Sequence, residues 1–426
     1  MSLGIYISVP FCRMKCSYCN FASGVFARSS VAQYVERLCT DIGSAEKTVT
    51  HAGGVLERTV DSVYLGGGTP TILDPSHLEK IFGVLREQFE VEPAAEVTME
   101  CAPGSLTPVL LDCLPRLGVN RVSLGVQSFI DDEAAAVGRQ HTRSVVREDI
   151  ASLRAAGIGN INVDLIAGLP HQTMESWRQS LNEALATGVP HVSVYMLEVD
   201  EDSRLGRELM AGGTRYHAHF VPDDDLIADL YTDACAVLSS SHVAQYEISN
   251  FAPLGIESKH NLKYWTRQPY LGFGLDAHSM LEADPYVLLG TGSAVVDESA
   301  ACMLEGVDAD AVRLATTDSL EEYLAGAAVQ HSVVSNFSAL EETFFLGLRL
   351  TRGIDLKNVT ARFGAIADLM APAVAELERE GLVGREGTTI RLTERGRLLS
   401  NEVFQRFLLP PGTPSAPRFS FTNFSP

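Results

Sequence analysis

Short apolar segments alternate with longer amphipathic ones through the first 200 residues, and this alternation limits the fold more than any other feature. Segments 5–9, 62–65, 96–100, 121–126, 162–166 and 191–197 are apolar and rich in β-branched residues, which predicts strands. Segments 31–47, 76–89, 108–117, 144–156 and 174–187 repeat their apolar residues at helical spacing. Thr107 before Pro108 reads as a helix cap, and three of the helices should end near Gly118, Gly157 and Gly188. Alternating strands and helices imply a parallel sheet with right-handed crossovers. Six such units are too few for a closed eightfold barrel. The expected fold class is therefore α/β, as a partial (β/α)6 TIM-like barrel. A flat doubly wound sheet is the alternative.

The barrel is expected to occupy 1–203. A barrel extension over 204–304 should hold a helix near 223–239, a strand near 244–248 and a long loop-like segment rich in glycine and aromatics. Residues 308–409 read as a mostly helical, winged-helix-like C-terminal domain. Its apolar-periodic helices fall at 339–350 and 366–380, followed by a short GTTIRLT strand pair and a further helix. The Pro-, Ser- and Phe-rich stretch 410–426 is expected to be a mobile tail.

The formal net charge of −21 repels polyanions at long range, so no nucleic-acid partner is expected. No run of eighteen apolar residues predicts a membrane span. The start, MSLGIYISVPFCRMKC, lacks the basic and apolar regions of a signal peptide, and a cytoplasmic, reducing setting is expected. Peripheral membrane contact is left open, although no basic amphipathic helix argues for it.

Five of the eight cysteines (39, 101, 113, 235 and 302) stand singly among apolar residues, as small core side chains do. The other three cluster in Pro10-Phe11-Cys12-Arg13-Met14-Lys15-Cys16-Ser17-Tyr18-Cys19-Asn20-Phe21. Closely spaced thiolates in one loop can wrap an iron–sulfur cube, and three ligands leave one iron open. A zinc site would want a fourth ligand nearby, and within thirty residues only Cys39 is on offer, in a helical pattern. Three core cysteines on one helical face would also fit the spacing, but Pro10 and the preceding strand favour a loop.

Polar groups recur at the ends of the following strands, where a parallel barrel builds its site. Strand two runs into Gly66-Gly67-Gly68-Thr69-Pro70, strand three ends at Glu100, and strand four runs into Gly125-Val126-Gln127-Ser128-Phe129. Strand five carries Asp164 between apolar neighbours, and a buried carboxylate needs a polar partner.

The cysteine loop, GGGTP, GVQSF, GRQHT and DLIAGLPHQT together resemble the radical S-adenosylmethionine (SAM) family, over nearly the whole chain to about Leu409. Within it the chain is most similar to the oxygen-independent coproporphyrinogen III oxidases and their HemW-type haem chaperone relatives. The resemblance implies a [4Fe–4S] cluster on Cys12, Cys16 and Cys19, with SAM on the open iron. An electron from the cluster would split SAM to methionine and a 5′-deoxyadenosyl radical, and an electron donor would then be needed. By motif position, Tyr6, Gly67, Gly68, Thr69, Glu100, Gln127, Arg139 and Asp164 would contact SAM. Their chemistry suits it: carboxylates for ammonium or ribose hydroxyls, and Arg for a carboxylate.

Two differences favour the HemW-type branch. The related oxidases carry a fourth cysteine where Phe21 stands, and an extension before the first strand. The HNxxYW string His260-Asn261-Leu262-Lys263-Tyr264-Trp265 is similar to HemW-type sequence. Histidine can ligate haem iron and aromatics can pack on a porphyrin. His260 and His278 are therefore haem-ligand candidates, while a structural role for either is the competing reading. The resemblance implies haem as cargo and a haem-accepting protein as partner. Oxidative decarboxylation of coproporphyrinogen III propionates is the alternative activity. Family members often have Asn where Ala102 stands and Gly where Asp276 stands.

Overall fold

In a computed structural model, which describes residues 1–288 and 309–409, six strands form a parallel run in chain order. They are β1 (Leu3–Val9), β2 (Thr59–Gly67), β3 (Glu90–Cys101), β4 (Arg121–Gln127), β5 (Asn160–Ala167) and β6 (His191–Met196). Each pairs with the next, from Tyr6 opposite Tyr64 in β1–β2 to Asp164 opposite Ser193 in β5–β6. A doubly wound sheet reverses its strand order at a switch point. These strands never do, so the partial barrel is the fold. Helices Arg28–Gly43, Pro75–Gln88, Pro108–Arg116, Arg143–Ala155 and Met174–Ala186 make the crossovers, close to the expected positions. The Thr107 hydroxyl accepts the Leu110 N–H at 3.2 Å and caps the third of these. Alternate residues of the strands, such as Leu3, Ile5, Ile7 and Val9 of β1, are apolar and wholly buried, which fits one face of the sheet covered by helices.

The sheet goes further than the sequence indicates. β7 (Asn250–Phe251) closes one edge against β6, and β8 (Tyr270–Phe273) pairs in parallel with β1. β9 (His278–Glu282), β10 (Ala311–Ala315) and β11 (Gln330–Val334) continue beyond β8 as antiparallel neighbours, giving eleven strands in all among the described residues. The strand expected at 244–248 is corrected. Gln245 and Glu247 form only isolated bridges, and the paired strand lies at Asn250–Phe251. The segment read as loop holds β8 and β9, and the region read as mostly helical opens with β10 and β11. These strands are four or five residues long and lack a clean alternation, so their periodicity is faint.

Past β11, helices Asn336–Gly347, Leu356–Phe363 and Ala371–Arg379 pack with a three-stranded sheet. That sheet has the order β12 (Ile354–Asp355), β14 (Thr389–Leu392), β13 (Val383–Glu386), and the β13–β14 hairpin is the wing. The helix expected at 366–380 is a 3-10 turn, Gly364–Met370, and then an α-helix, with Pro372 where the second begins. Arg267 ties this module to the barrel. Its guanidinium meets Glu342 at 2.8 Å and Asp310 at 3.0 Å, and Arg313 of β10 reaches Glu342 at 2.7 Å. The expected tail 410–426, Cys302 and the region boundary near 304–308 lie outside the described residues.

Candidate cluster and cofactor site

All six parallel strands end on one face, and the cysteine segment leaves β1 there as a loop, not a helix. The loop is closed on itself. The Cys12 N–H donates to Gly24 O and the Gly24 N–H to Pro10 O, both at 2.9 Å. It is also stitched to its neighbours. Ser17 N–H bonds Val137 O at 3.1 Å, and Leu205 N–H bonds Ser17 O at 2.8 Å. The turn after β2 lies against the loop. Gly68 N–H donates to Val9 O and Thr69 N–H to Phe11 O, each at 2.8 Å. A Cβ on Gly68 would come within 2.8 Å of both Val9 O and Phe11 O, so that position admits no side chain. Gly67 has φ +97°, which only glycine adopts freely.

Thr69 Oγ1 lies 3.9 Å from Cys12 Sγ, and the Ser23 hydroxyl lies 4.0 Å from Cys19 Sγ. Burial pushes the Cys12 and Cys19 thiols up from the usual range, and the nearby Cys16 adds to it. Arg139 faces the same loop. It donates to Tyr18 Oη at 3.0 Å, its Nε has no partner, and the neighbouring Tyr18 and Cys16 raise its basicity against the cost of burial. Among the described residues, no three His, Cys, Asp or Glu side chains converge as the ligands of one ion would. Thiolates on three irons of a cube stand further apart than that, and the loop offers three thiols beside a cation. The donor set fits a cube with one iron left for a further ligand.

The other predicted contacts line the same strand ends. Glu100 accepts from Tyr64 Oη at 2.9 Å, and its carboxyl is pushed up to about 7, by burial first and then by Asp164. A Cβ on Gly66 would meet Glu100 at 2.9 Å, so that glycine makes room for the carboxylate. Burial also raises Asp164, against hydrogen bonds from Ser123 at 3.0 Å and Asn162 at 2.7 Å. Its expected partners are thus present. Gln127 sits beyond a bulge in β4 at φ +69°, buried, with its amide and the Arg139 guanidinium both over Gly125. Bulges re-aim side chains beside sites, and the strained backbone is a second mark of one. The Tyr6 ring stacks on Tyr64 at 6.1 Å, and its hydroxyl lies near the Gly67 turn. The structure therefore brings Tyr6, Gly67, Gly68, Thr69, Glu100, Gln127, Arg139 and Asp164 to one face with the cysteines. Sequence reasoning missed Tyr18 and Tyr64. Tyr18 lies inside the quoted cysteine segment and Tyr64 two residues before Gly66, but an isolated tyrosine carries no motif.

The haem candidates are placed differently. His260 is 1% exposed, and both ring nitrogens are engaged: Nδ1 with Ser62 Oγ at 3.1 Å and Nε2 with Tyr264 Oη at 2.9 Å. Burial, then Lys263 and Arg121, lower its pKa to about 3. Coordination of haem iron by His260 would need one of those bonds broken inside the barrel. His278 is on β9 with its ring partly exposed and 3.7 Å from Asp276 Oδ1. Asp276 has φ +53°, a left-handed backbone that favours glycine.

The fold and this face define one class. The radical SAM superfamily model matches residues 6–184, and the HemN C-terminal domain model matches 334–399. The heme chaperone HemW of Bacillus subtilis is 33% identical over 95% of this chain and 98% of its own. That of Lactococcus lactis is 31% identical over 95% of this chain and 97% of its own. The chain belongs to the HemW family within the radical SAM superfamily. Membership implies a [4Fe–4S] cluster and SAM. The solved structure of the coproporphyrinogen III oxidase HemN from Escherichia coli shares the fold, with a TM-score of 0.75, 22% identity, and coverage of 95% of this chain and 90% of that one. Among the described residues, no helix is long and apolar enough to cross a membrane.

Proposed function

We propose that this chain binds haem and delivers it to haem-accepting proteins, while its barrel holds a [4Fe–4S] cluster and SAM. The full-length likeness to proteins named heme chaperone HemW carries the reading. Phe21 supports it: a phenylalanine, 42% exposed, stands where the related oxidases carry a fourth cysteine. Cys12, Cys16 and Cys19 would hold the cluster, and Arg139 would balance thiolate charge and meet the SAM carboxylate. Glu100 and Asp164 would take the ammonium and ribose hydroxyls, with Tyr64, Ser123 and Asn162 orienting them. Gly67, Gly68 and Thr69 would bring backbone groups up to the methionine end, and Tyr6 and Gln127 would complete the wall. When bound, the cluster and SAM supply one-electron reductive chemistry, which calls for an external electron donor. The setting is expected to be cytoplasmic.

Haem titration followed by absorbance tests this reading. A saturable Soret shift is expected. Its absence, with conversion of coproporphyrinogen III to protoporphyrinogen IX under a reductant, would replace the chaperone with an oxidase.

A further inference from the structure

The stretch after β6 carries a side-chain group that the cluster site does not use. Helix Arg204–Ala211 packs on the cysteine loop, where Leu205 N–H bonds Ser17 O and Arg204 reaches Lys15 O. The chain then turns through 212–220 and brings His217, His219 and Phe220 beside His171 of the loop after β5. His171 Nε2 and His217 Nδ1 are 3.1 Å apart. The Phe220 ring has the His171 and His219 rings each at 4.0 Å, and it is 46% exposed. Both His171 and His217 have positive φ, +69° and +61°, a backbone cost that non-glycine residues accept rarely. The His171 N–H donates to Phe220 O at 3.0 Å, which locks the two loops together.

Beside this ring group lies a shallow hollow of about 420 Å³, lined by Arg204, Arg207, Glu208, Gly213, Arg215 and Tyr216. Its one acid is already committed. The Glu208 carboxylate accepts the Tyr216 N–H at 2.8 Å and the Ala218 N–H at 3.3 Å. Asp200 nearby is held by Asn20 at 2.9 Å. The three guanidiniums thus face the hollow without an ion pair to either acid, on a chain whose net charge is −21.

We infer that this surface is the haem site: His217 ligates the iron, the ring group packs on the porphyrin, and the arginines take the propionates. A ligating imidazole characteristically donates its other N–H to a fixed partner, which sets the tautomer and raises basicity. His171 Nε2 is placed to accept that proton from His217 Nδ1. His217 Nε2 has no hydrogen bond among the described residues and is not a buried orphan, so it faces solvent. His171 is then a positioning residue. Exposed arginines suit carboxylates through bidentate hydrogen bonds. This rests on the haem-cargo reading above and names its site.

The test titrates ferric haem, metal-free protoporphyrin IX and haem dimethyl ester into the whole cluster-loaded protein. His217→Ala should remove the imidazole-type Soret signature and weaken ferric haem by about tenfold or more, with protoporphyrin affected far less. His171→Ala should weaken haem while keeping the signature. Arg204→Ser with Arg207→Ser and Arg215→Ser should cost about tenfold for haem and little for the diester. Iron content and thermal midpoint report whether each variant is intact. Unchanged haem affinity and spectrum in His217→Ala would overturn the site and leave the chaperone reading standing. No saturable binding by the unaltered protein would overturn both.

Discussion

The cluster face and the HNxxYW segment both carry recognisable strings, but their polar atoms are disposed in opposite ways. On the cluster face, Arg139 keeps an unpartnered Nε, Gln127 holds a strained backbone, and Asp164 sits close enough to raise Glu100. Tyr18, Tyr64, Ser123 and Asn162 satisfy these groups only in part. In the HNxxYW segment the reverse holds. His260 has partners on both nitrogens, and Lys263 bonds Ser2 O and Asp61, each at 2.8 Å. Glu96 accepts from the Ser258 hydroxyl and the backbone of Lys259 and His260. That segment is a polar plug closing the barrel interior. A motif whose charged groups keep open valences is built for a ligand, whereas one whose histidine and lysine are paired, with the Trp265 indole N–H left without a partner, is built for the fold.

The sharpest break of this comparison is Cys16→Ala. The unaltered protein should take up about four irons and four sulfides per chain on anaerobic reconstitution, and the variant should take up almost none. Iron and sulfide analysis decides it. A variant that kept its cluster would remove the cluster face from the ligand-built side of the contrast.

Glu100→Gln comes next. A carboxyl held near 7 in the folded chain but at its ordinary value when unfolded keeps its proton longer in the native state. Its contribution is therefore full below about pH 4.5 and is lost as pH rises through 7. Denaturant unfolding without added cofactor, at pH 5 and pH 8, should show the variant gaining on the unaltered protein at pH 8, by up to about 3 kcal/mol. Equal pH dependence in both would mean that the carboxylate is not frustrated.

His260→Ala probes the other region. It strands the Ser62 and Tyr264 hydroxyls, and should cost about 2 kcal/mol in urea unfolding. Haem affinity, once corrected for folded fraction, should not move. Lost affinity at unchanged stability would make His260 a ligand after all and erase the distinction.

How much of this was legible depended on the kind of signal. The β1–β6 run was legible because its strands carry β-branched and other apolar residues at alternate positions and their helices repeat at 3.6 residues. The cluster face was legible because its residues come in strings at strand ends. β8 to β11 were not, since Gly272 and Gly274 interrupt runs only a few residues long. A Cβ on Gly272 would fall 2.3 Å from His278 O, so the glycine that hid the strand is what lets β8 and β9 pack. The pairing of His260 was illegible for another reason. Its partners Ser62 and Tyr264 lie 198 and 4 residues away, and spacing reports only the second.

The smallest effect lies where the two regions meet. Asp276 ends the turn after β8 at φ +53°, with its carboxylate 3.7 Å from the His278 ring, and both side chains are more than a third exposed. If the aspartate is only tolerated there, Asp276→Gly relieves left-handed strain but adds chain entropy to the unfolded state. The net gain should be at most about 1 kcal/mol. Cluster loading should be unchanged. A clear fall in iron content or SAM binding at unchanged thermal midpoint would instead place Asp276 and His278 on the ligand-built face. The boundary between the two regions would then run through β9, not along β1.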